Sequence, residues 1–438
     1  MSRRAVEGLA NDLLIPEHSA ERRRLDVIDG WWHQDPEKID LPRRSSEEHR
    51  ALRDISEDRW LSLVVTTVAQ QLAVEGVRSA ESPSDVKAIW APWVRNRMPS
   101  RQKAIHYAAI GYGYSYATVK PGDTGAVIRG RSPREVYAVY ADATADEYPM
   151  YYIDRRQAGP VIVDEEAEYY LTEGRLGYEV ADIRVHGVGV APLVRYSNNI
   201  DVEARTPGEV EPYIPTAKRI HKTTYDRMLT QHHNSWKIRT ATGLSEPANE
   251  DAADKQALRL RQNDILTGGD GVEFGTLDET PLDGFISAKK DDVQTLASTS
   301  QTPSHALTGD LINLSADAIS EARAMLDLKA RERKMAFGDS HAQVLRLAAH
   351  IEGREADAAD FSLTMQWADL EARSMTQAAD ALGKIATMLG VPVEKLWDRI
   401  PGVSVEEAAS WRAFREENPT ADERLSSALL AQANGADS

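Results

Sequence analysis

The stretch that decides the fold runs from Ser315 to Ile351 and reads SADAISEARAMLDLKARERKMAFGDSHAQVLRLAAHI. Ser315 is a favourable N-cap residue, and Asp317 places a negative charge in the first turn. The pattern predicts one helix from Ala316 to about Ile351. A helix of that length is unusual in a globular domain.

A polar segment precedes this helix. It follows a short helical stretch, SAKKDDVQTLAS, and contains Pro303 and Gly309, which favour a loop. Its side chains are short and polar, with almost no positive charge. The polar positions singled out here are Thr302, Ser304, His305, Thr308, Asp310 and Asn313.

A second helix is predicted from Thr216 to Trp236, with Thr216 as a possible N-cap after Pro215. From Thr216 to Thr240 the chain has six basic residues and one acidic residue, a local charge of +5. Residues 241 to about 287 are rich in glycine, aspartate and turns, and they contain a strand-like GVEFGTL. Two helices that flank such an insertion predict a hairpin carrying a small compact unit at one end.

Toward the N-terminus, residues 1 to about 110 are predicted to be mainly helical. The run LSLVVTTVAQQLAVEG has an apolar face and ends at Gly76, a plausible C-terminal cap. Alternating tyrosines at 112, 114 and 116 then change the period from helix to strand. Residues 111 to about 195 predict an antiparallel sheet, which ends at a loop with three prolines.

Beyond the long helix, DFSLTMQWADLEARS begins with a strand-like alternation, and a helix is predicted from Met375 to Leu389. The segment from Gly353 to Ser438 has 15 acidic and 8 basic residues, a balance of −7. From about Asn418 the residues are small and polar, which predicts a frayed tail.

Composition excludes several classes of protein. The 438 residues include 69 acidic and 52 basic side chains, a formal charge of −17, which argues against a uniformly basic surface that coats DNA or membrane. There is no cysteine, so disulfides and thiolate metal sites are excluded. The N-terminus lacks the apolar region of a secretory signal, and no stretch predicts a membrane span.

Catalytic motifs are absent as well. No phosphate-binding loop of the form G-x-x-x-x-G-K-[ST] occurs. The string SAKK at Ser287–Lys290 lacks the companion motifs of an S-x-x-K enzyme. His232 and His233 are adjacent and point about 100° apart on a helix, so they do not form a two-ligand metal site. Asp142, Asp146 and Glu147 fit turn residues better than a cation site. The sequence predicts neither an enzyme nor a bound cofactor or metal.

The sequence resembles the portal (head-to-tail connector) proteins of long-tailed double-stranded DNA bacteriophages. The resemblance spans most of residues 20 to 390 and depends on the order of several blocks, above all P-x-x-x-L-T-G-D, then NLSADAI and a long helix. The other blocks are RRRLDVIDGWW, NRMPSRQKAIHYAAIGYGYSYATV, SPREVYAVYAD, GVGVAPLVRYSN, YIPTAKRIHKTTYDRML and MQWADLEARSMTQAADALGKI.

The resemblance implies an α+β portal fold with a mixed α/β wing, a helical stem, a small α/β clip, a long tunnel helix and a helical crown. Its boundaries would be residues 1–208 for the wing, 209–239 for the stem helix, 240–287 for the clip, 288–301 for the second stem helix, 302–314 for the tunnel loop, 315–371 for the long helix and its return to the wing, and 372–438 for the crown and tail.

The implied function is that of a ring, a dodecamer in the family, at one capsid vertex of the virion. Such a ring is assembled in the host cytoplasm and forms the channel for genome packaging and ejection. The implied partners are the major capsid protein and scaffold, the terminase large subunit, a head–tail adaptor, and double-stranded DNA as cargo. The alternatives are another non-enzymatic head–neck protein and a terminase-type packaging ATPase, which the missing phosphate loop disfavours.

The resemblance also gives two groups of side chains a role. The polar positions from Thr302 to Asn313 would lie in the channel loop, although a surface loop has the same composition. Lys218, Arg219 and Lys222 would face DNA phosphate in the lumen of a ring, or make salt bridges between subunits, or form a solvated face. The sequence leaves these three alternatives open.

Overall fold

The computed structural model describes residues 1–33, 36, 38–81, 86–235, 239–242, 271, 273–276, 279–309, 316–368, 375–400, 403 and 405–419. Within these ranges the chain mixes helices and antiparallel strands, which confirms the predicted α+β class. None of the described helices is both long enough and apolar enough to cross a bilayer.

The helices alternate with the strands along the chain. They are α1 (Arg3–Gly8), a π-helix (Leu9–Leu14), α2 (Ile15–His33), α3 (Glu47–Asp54), α4 (Trp60–Ala69), α5 (Val86–Arg95), α6 (Met98–Tyr112), α7 (Ile214–Asn234), α8 (Asp283–Thr299), α9 (Ser304–Thr308), α10 (Ala316–Ile351), α11 (Glu355–Ala358), α12 (Met375–Leu389) and α13 (Val405–Glu417). Short 3₁₀ turns cover Glu211–Tyr213, Val393–Lys395 and Trp397–Arg399.

The strands form four antiparallel groups. They are β1 (Val74–Arg78), β2 (Tyr114–Lys120), β3 (Val127–Arg131), β4 (Val136–Val139), β5 (Tyr151–Arg156), β6 (Gly159–Val163), β7 (Ala167–Gly174), β8 (Gly177–Val185), β9 (Leu193–Ser197), β10 (Arg239–Thr242), β11 (Glu273–Thr276) and β12 (Thr364–Trp367).

The long helix α10 has the predicted bounds, although Ser315, its proposed cap, lies outside the described residues. Its second half is the centre of the main core, where Phe337, Val344 and Leu345 are fully buried. They share this core with α4, whose predicted apolar face is also buried. Burial along this half stabilises the helix, because most helical stability in proteins comes from tertiary packing of the apolar face.

The predicted sheet is two sheets. One is a five-stranded meander in the order β4-β5-β6-β7-β8, and the other has the order β3-β2-β9. Two strands of the meander begin with a glycine that has a positive φ. Gly159 (φ 116°) begins β6 and Gly177 (φ 132°) begins β8, each just after a hairpin turn. Tyr114 and Tyr116 of β2 pack against Tyr152 of β5, so a shared apolar layer joins the two sheets.

The N-terminal helices cover the other face of the five-stranded sheet. Val6, Ala10 and Leu14 are fully buried against it. Asn11 also covers the outer edge of β8, because its side chain donates to the carbonyl of Tyr178 at 2.9 Å and accepts from the amide of the same residue at 2.8 Å. This contact blocks the first half of an otherwise unpaired strand edge.

The prediction that Gly76 caps a helix is wrong. Helix α4 ends at Ala69, and Gly76 lies in strand β1 at a point where the register shifts. Strand β1 pairs with β12, nearly three hundred residues later in the chain. The helix therefore ends earlier than the apolar periodicity indicated, because residues 74–78 form their backbone hydrogen bonds with the distant strand β12.

Two helix starts also differ from prediction. Helix α7 begins at Ile214, so Thr216 lies inside it and Tyr213 is the N-cap residue. Proline is accepted in a first helical turn, where its missing N–H has no partner to lose, and Pro215 therefore does not delay the start. Helix α8 begins at Asp283, so its first turn falls within the stretch assigned to the insertion.

Candidate functional site: the helical hairpin and the buried junction at its base

Helices α7 and α8 form an antiparallel hairpin. At its base the hydroxyl of Tyr213 donates to the carbonyl of Thr299 at 3.1 Å. At the other end the amide of Asn234 donates to the carbonyl of Thr280 at 2.8 Å. Beyond this end β10 pairs with β11, which brings together the two ends of the predicted insertion. Residues 243–270 of the insertion lie outside the described residues.

The three predicted cationic positions lie on the exposed side of α7. Arg219 forms an ion pair across the hairpin with Asp292 of α8 at 3.1 Å. Lys222 pairs with Asp226 one turn later at 2.5 Å, and its ammonium lies 5.8 Å from the centre of the Tyr225 ring. Lys218 is exposed. Arg219 and Lys222 are thus partly compensated within the chain, and both remain about half exposed.

The buried side of α7 joins the hairpin to the N-terminal helices through His221. Its ring stacks on Trp31 with the ring centres 5.4 Å apart, and its Nε2 lies 2.9 Å from the carbonyl oxygen of Asp58. Burial lowers the pKa of His221, and the contact with Asp58 opposes this shift. Lys289 of α8 lies 3.5 Å from the side-chain carboxylate of the same residue, Asp58, so both helices contact the loop before α4.

The predicted polar loop is partly folded. Ser304–Thr308 forms α9, and Leu307 is buried while α9 packs against α8 and α4. Thr302 is buried as well, and its Oγ1 accepts a hydrogen bond from Ser300 at 2.9 Å. Of the six predicted positions, Thr308 is exposed, and Ser304 and His305 are half-buried. Asp310 and Asn313 lie outside the described residues.

A buried ionic junction lies where the hairpin meets α10. Lys329 of α10 donates to Glu209 at 2.5 Å and to the carbonyl of Ser300 at 2.8 Å. Arg333, one turn later, donates to the second oxygen of Glu209 at 3.1 Å and to Asn198 at 2.7 Å. Each ionised side chain of the junction is less than 10% exposed. The junction therefore links the end of α8, the long helix and the loop that enters α7.

The loop that supplies Glu209 is joined closely to α6. The amide of Glu209 donates to the carbonyl of Ile110, and the amide of Asn198 donates to that of Gly113, both at 2.8 Å. Gly113 has φ 101°, and a Cβ there would lie 1.9 Å from the carbonyl oxygen of Thr206. Only glycine allows this approach, so the backbone presents Glu209 at a fixed position under α10.

Farther along α10, a buried hydrogen-bonded chain connects it to α6 and β9. His341 Nε2 lies 2.8 Å from Nε2 of His106, and its Nδ1 lies 2.8 Å from the hydroxyl of Tyr196. Burial lowers the pKa of His106 to about 4. Burial and the neighbouring His106 hold the pKa of His341 well below its usual value. Both histidines are therefore neutral at physiological pH, and each contact requires one shared proton.

The other residues considered from the sequence have structural roles. Asp142 caps a tight turn through Thr144 and accepts from its amide at 2.8 Å. Glu147 pairs with Arg346 of α10, so it does not join Asp142 in a cation site. His232 and His233 stand with their ring centres 5.7 Å apart. The described residues contain no group of three or more acidic or histidine side chains placed to hold a metal ion.

Sequence reasoning missed the junction and the histidine chain. Lys329 and Arg333 are spaced one turn apart and face the same side of α10, which was the available signal. Their partner Glu209 lies about 120 residues earlier, in a proline-containing loop, and no local pattern connects the two. His106 and His341 are likewise joined only by the fold.

Comparison with protein families places the chain in a known group. Residues 11–420 match the family described as "Phage portal protein, SPP1 Gp6-like". The match includes the hairpin, the junction and the whole of α10. A search of the curated proteins gave no match.

Two of the solved structures similar to the chain come from gene transfer agent particles. One, titled "Neck of empty GTA particle computed with C6 symmetry", is 10% identical and covers 81% of this chain and 92% of its own, with a TM-score of 0.44. Another, "Virion of native gene transfer agent (GTA) particle", is 10% identical and covers 85% and 94%, with a TM-score of 0.42.

Proposed function

The chain belongs to the phage portal protein family, and on that premise we propose that it forms a ring at one capsid vertex through which genomic DNA enters and leaves. The observation that carries the proposal is the family match, which is nearly unbroken across the chain. Portal proteins are structural parts of the virion, and the proposal assigns this chain no catalytic step.

The parts of the chain take their roles in the proposal from the resemblance to portal proteins. Residues 1–208 form the wing, and the hairpin of α7 and α8 forms the stem. Helix α7 lies within segment 209–239, and α8 occupies most of segment 288–301 but begins earlier, at Asp283. Residues 240–287 form the clip at the far end of that hairpin. Residues 302–314 are the tunnel loop, 315–371 the long helix and its return to the wing, and 372–438 the crown and tail. The antiparallel hairpin supports this scheme, because it sends the insertion away from the wing and brings the chain back.

The stem cations are the groups proposed to meet DNA. Lys218, Arg219 and Lys222 repeat around a ring as belts of positive charge, and long cationic side chains near phosphate act on the duplex without reading its sequence. The ion pairs of Arg219 and Lys222 within the chain weaken each contact, which suits a conduit that lets DNA slide. The partly exposed polar residues Ser304, His305 and Thr308 of the tunnel loop add little charge to the path.

The proposed partners follow from these roles. The wing meets the major capsid protein and the scaffold, and the clip docks the terminase large subunit and later a head–tail adaptor. Double-stranded DNA is the translocated cargo. The ring is a dodecamer in the virion.

Negative-stain imaging of the purified full-length chain tests the proposal. We expect closed rings with a central hole wide enough for duplex DNA. Monomers at high protein concentration would contradict the ring and favour another head–neck component. ATP hydrolysis at the rate of a packaging motor by the same sample would instead favour an ATPase.

A further inference from the structure

A cleft of about 710 Å³ lies in the wing, away from the hairpin and the junction. Its floor is the half of the five-stranded sheet that the three-stranded sheet leaves uncovered, and its wall is β3 with the loop after β2. The volume falls in the range of ligand pockets of about 300–1,000 Å³.

The floor of the cleft is an ionic network. Asp154 of β5 is almost fully buried and pairs with Arg131 and, at 2.8 Å, with Arg156. Glu168 of β7 pairs with Lys120 and lies 3.9 Å from Arg156. Arg131 also lies 3.5 Å from Glu135, outside the floor. The side chains that line the cleft include five cations and three carboxylates, so the cleft keeps a surplus of positive charge in a chain whose overall charge is −17. The cations are Lys120, Arg129, Arg131, Arg156 and Arg184, and the carboxylates are Asp123, Asp154 and Glu168.

The rim adds two more arginines. Arg129 of β3 is exposed, and its guanidinium forms no ion pair within the described part of the chain. Arg184 of β8 lies over the ring of Tyr170 with 4.6 Å between the guanidinium carbon and the ring centre. It pairs with Asp182 at 2.9 Å but remains about two-thirds exposed. Both guanidinium groups therefore stay accessible to an anion from outside.

The same rim has an apolar lip. Val185, the last residue of β8, is 78% exposed and lines the cleft beside Arg184. Asn11 and Glu7 cover β8 only at Tyr178 and Val180, so the sheet edge near Val185 has no strand or helix beside it among the described residues.

These features favour a peptide over nucleic acid. The buried carboxylates of Asp154 and Glu168 would repel a continuous row of phosphates. A peptide avoids this repulsion, because acidic side chains can alternate with apolar ones that contact Val185.

We propose that this cleft binds an extended segment of a partner protein in which acidic residues alternate with apolar residues, with Arg129 and Arg184 as its carboxylate ligands. The site is independent of the DNA path proposed for the hairpin. It gives the wing a second, charge-selective docking surface for a protein partner.

Fluorescence anisotropy with the full-length chain and a labelled Glu-Val-Glu-Val-Glu-Val peptide tests the proposal. We expect saturable binding that weakens as salt rises from about 50 to 300 mM, because screening acts on exposed charges. Arg129→Glu should weaken binding five-fold or more, and Arg129→Lys should stay within about two-fold of wild type. The matched control is Arg175→Glu, which makes the same charge change at the exposed tip of the β7–β8 hairpin and should leave binding unchanged.

Several outcomes would overturn the proposal. They are the absence of saturable binding at millimolar peptide, equal losses in Arg129→Glu and Arg175→Glu, and equal affinity for a Lys-Val-Lys-Val-Lys-Val peptide. Displacement of the acidic peptide by a single-stranded oligonucleotide or by inorganic phosphate at lower concentration would assign the cleft to phosphate instead. Circular dichroism of each variant confirms that a loss of binding is not a loss of folding.

Discussion

The ammonium group of Lys329 lies 2.5 Å from Oε2 of Glu209, and the two side chains are only 4% and 6% exposed. Burial lowers the pKa of Lys329, and the Glu209 carboxylate opposes that shift. The carbonyl of Ser300 accepts a further hydrogen bond from the same ammonium. The pair therefore joins three segments that the sequence keeps far apart, and removing Lys329 would leave the buried Glu209 with Arg333 as its remaining ionic partner in the junction.

Substituting Lys329→Met should lower the free energy of unfolding by about 1.5–3 kcal/mol, since Glu209 loses one buried charged partner and keeps Arg333. Lys384→Met is the control, because Lys384 makes an exposed i,i+4 pair with Asp380 and should change stability by about 0.5 kcal/mol or less. Urea denaturation of the full-length chain measures both. A Lys329→Met variant within about 1 kcal/mol of wild type would show that the junction adds little to stability.

The buried histidine chain predicts a loss of stability in acid. The pKa of His106 is lowered to about 4, whereas a histidine in the unfolded chain titrates near 6.5. Between these values the unfolded chain binds a proton that the folded chain does not, so stability is complete above about pH 6.5 and falls as the pH drops toward 4. The loss from His106 is on the order of 3 kcal/mol by pH 4.

Unfolding free energies measured from pH 7.5 to 4 check this prediction. His106→Gln should flatten the pH dependence. His33→Gln should leave it unchanged, since His33 is more than half exposed. A pH dependence of the same slope in His106→Gln and in wild type would assign the acid sensitivity to other groups.

Gly113 should tolerate no side chain. At φ 101°, an alanine would be strained and its Cβ would clash with the backbone of Thr206, so we expect Gly113→Ala to cost about 3 kcal/mol or more. Gly187 also has positive φ, but a Cβ there would meet nothing within 4 Å. Gly187→Ala should therefore cost only about 1 kcal/mol. Thermal denaturation compares the two, and equal losses would contradict the steric argument.

Removing the charges of Lys218, Arg219 and Lys222 together by substitution with glutamine should change genome packaging or DNA retention and leave ring assembly intact. The expected effect is a two-fold or larger change in DNA per assembled particle, because belts of charge around the channel are lost. Arg219 and Lys222 are each more than half exposed, so folding should change by about 1 kcal/mol or less for each pair.

DNA content per particle and electron microscopy of the rings measure these two effects separately. A control variant removes three exposed charges elsewhere, at Arg4, Arg23 and Arg175. Unchanged genome content in particles with the hairpin variant would rule out a DNA-facing role for these cations. Failure of the rings to assemble would favour the alternative in which they join subunits.

Local patterns predicted the elements that depend on local physics. The bounds of α10 and the buried face of α4 follow from spacing and apolar periodicity. The position of Gly76 in a strand could not be predicted in this way, because β1 forms by pairing with β12, which is distant in the sequence. The division of the predicted sheet into two could not be predicted from local patterns either, since β9 pairs with β2 and not with β8, the strand that precedes it in the sequence.

The same limit applies to the sites. The exposed positions of Lys218, Arg219 and Lys222 agree with their polar spacing on α7, but the partner Asp292 is supplied by another helix. Thr302 is a short polar residue of the kind common in solvent-facing loops, yet it is buried at the end of α8. The role of these residues in a channel stays a prediction.

The pairing of β1 with β12 can form only late in the synthesis of the chain. About 285 residues separate Arg78 from its partner Thr364. At roughly 5–20 residues per second, the ribosome needs about 15–60 s to deliver β12 after β1 has been made. Until then β1 is an open strand edge on a nascent chain, and every chain that terminates early keeps that edge. The two-stranded sheet therefore forms only in chains that include β12, and its presence distinguishes them from chains that terminate earlier.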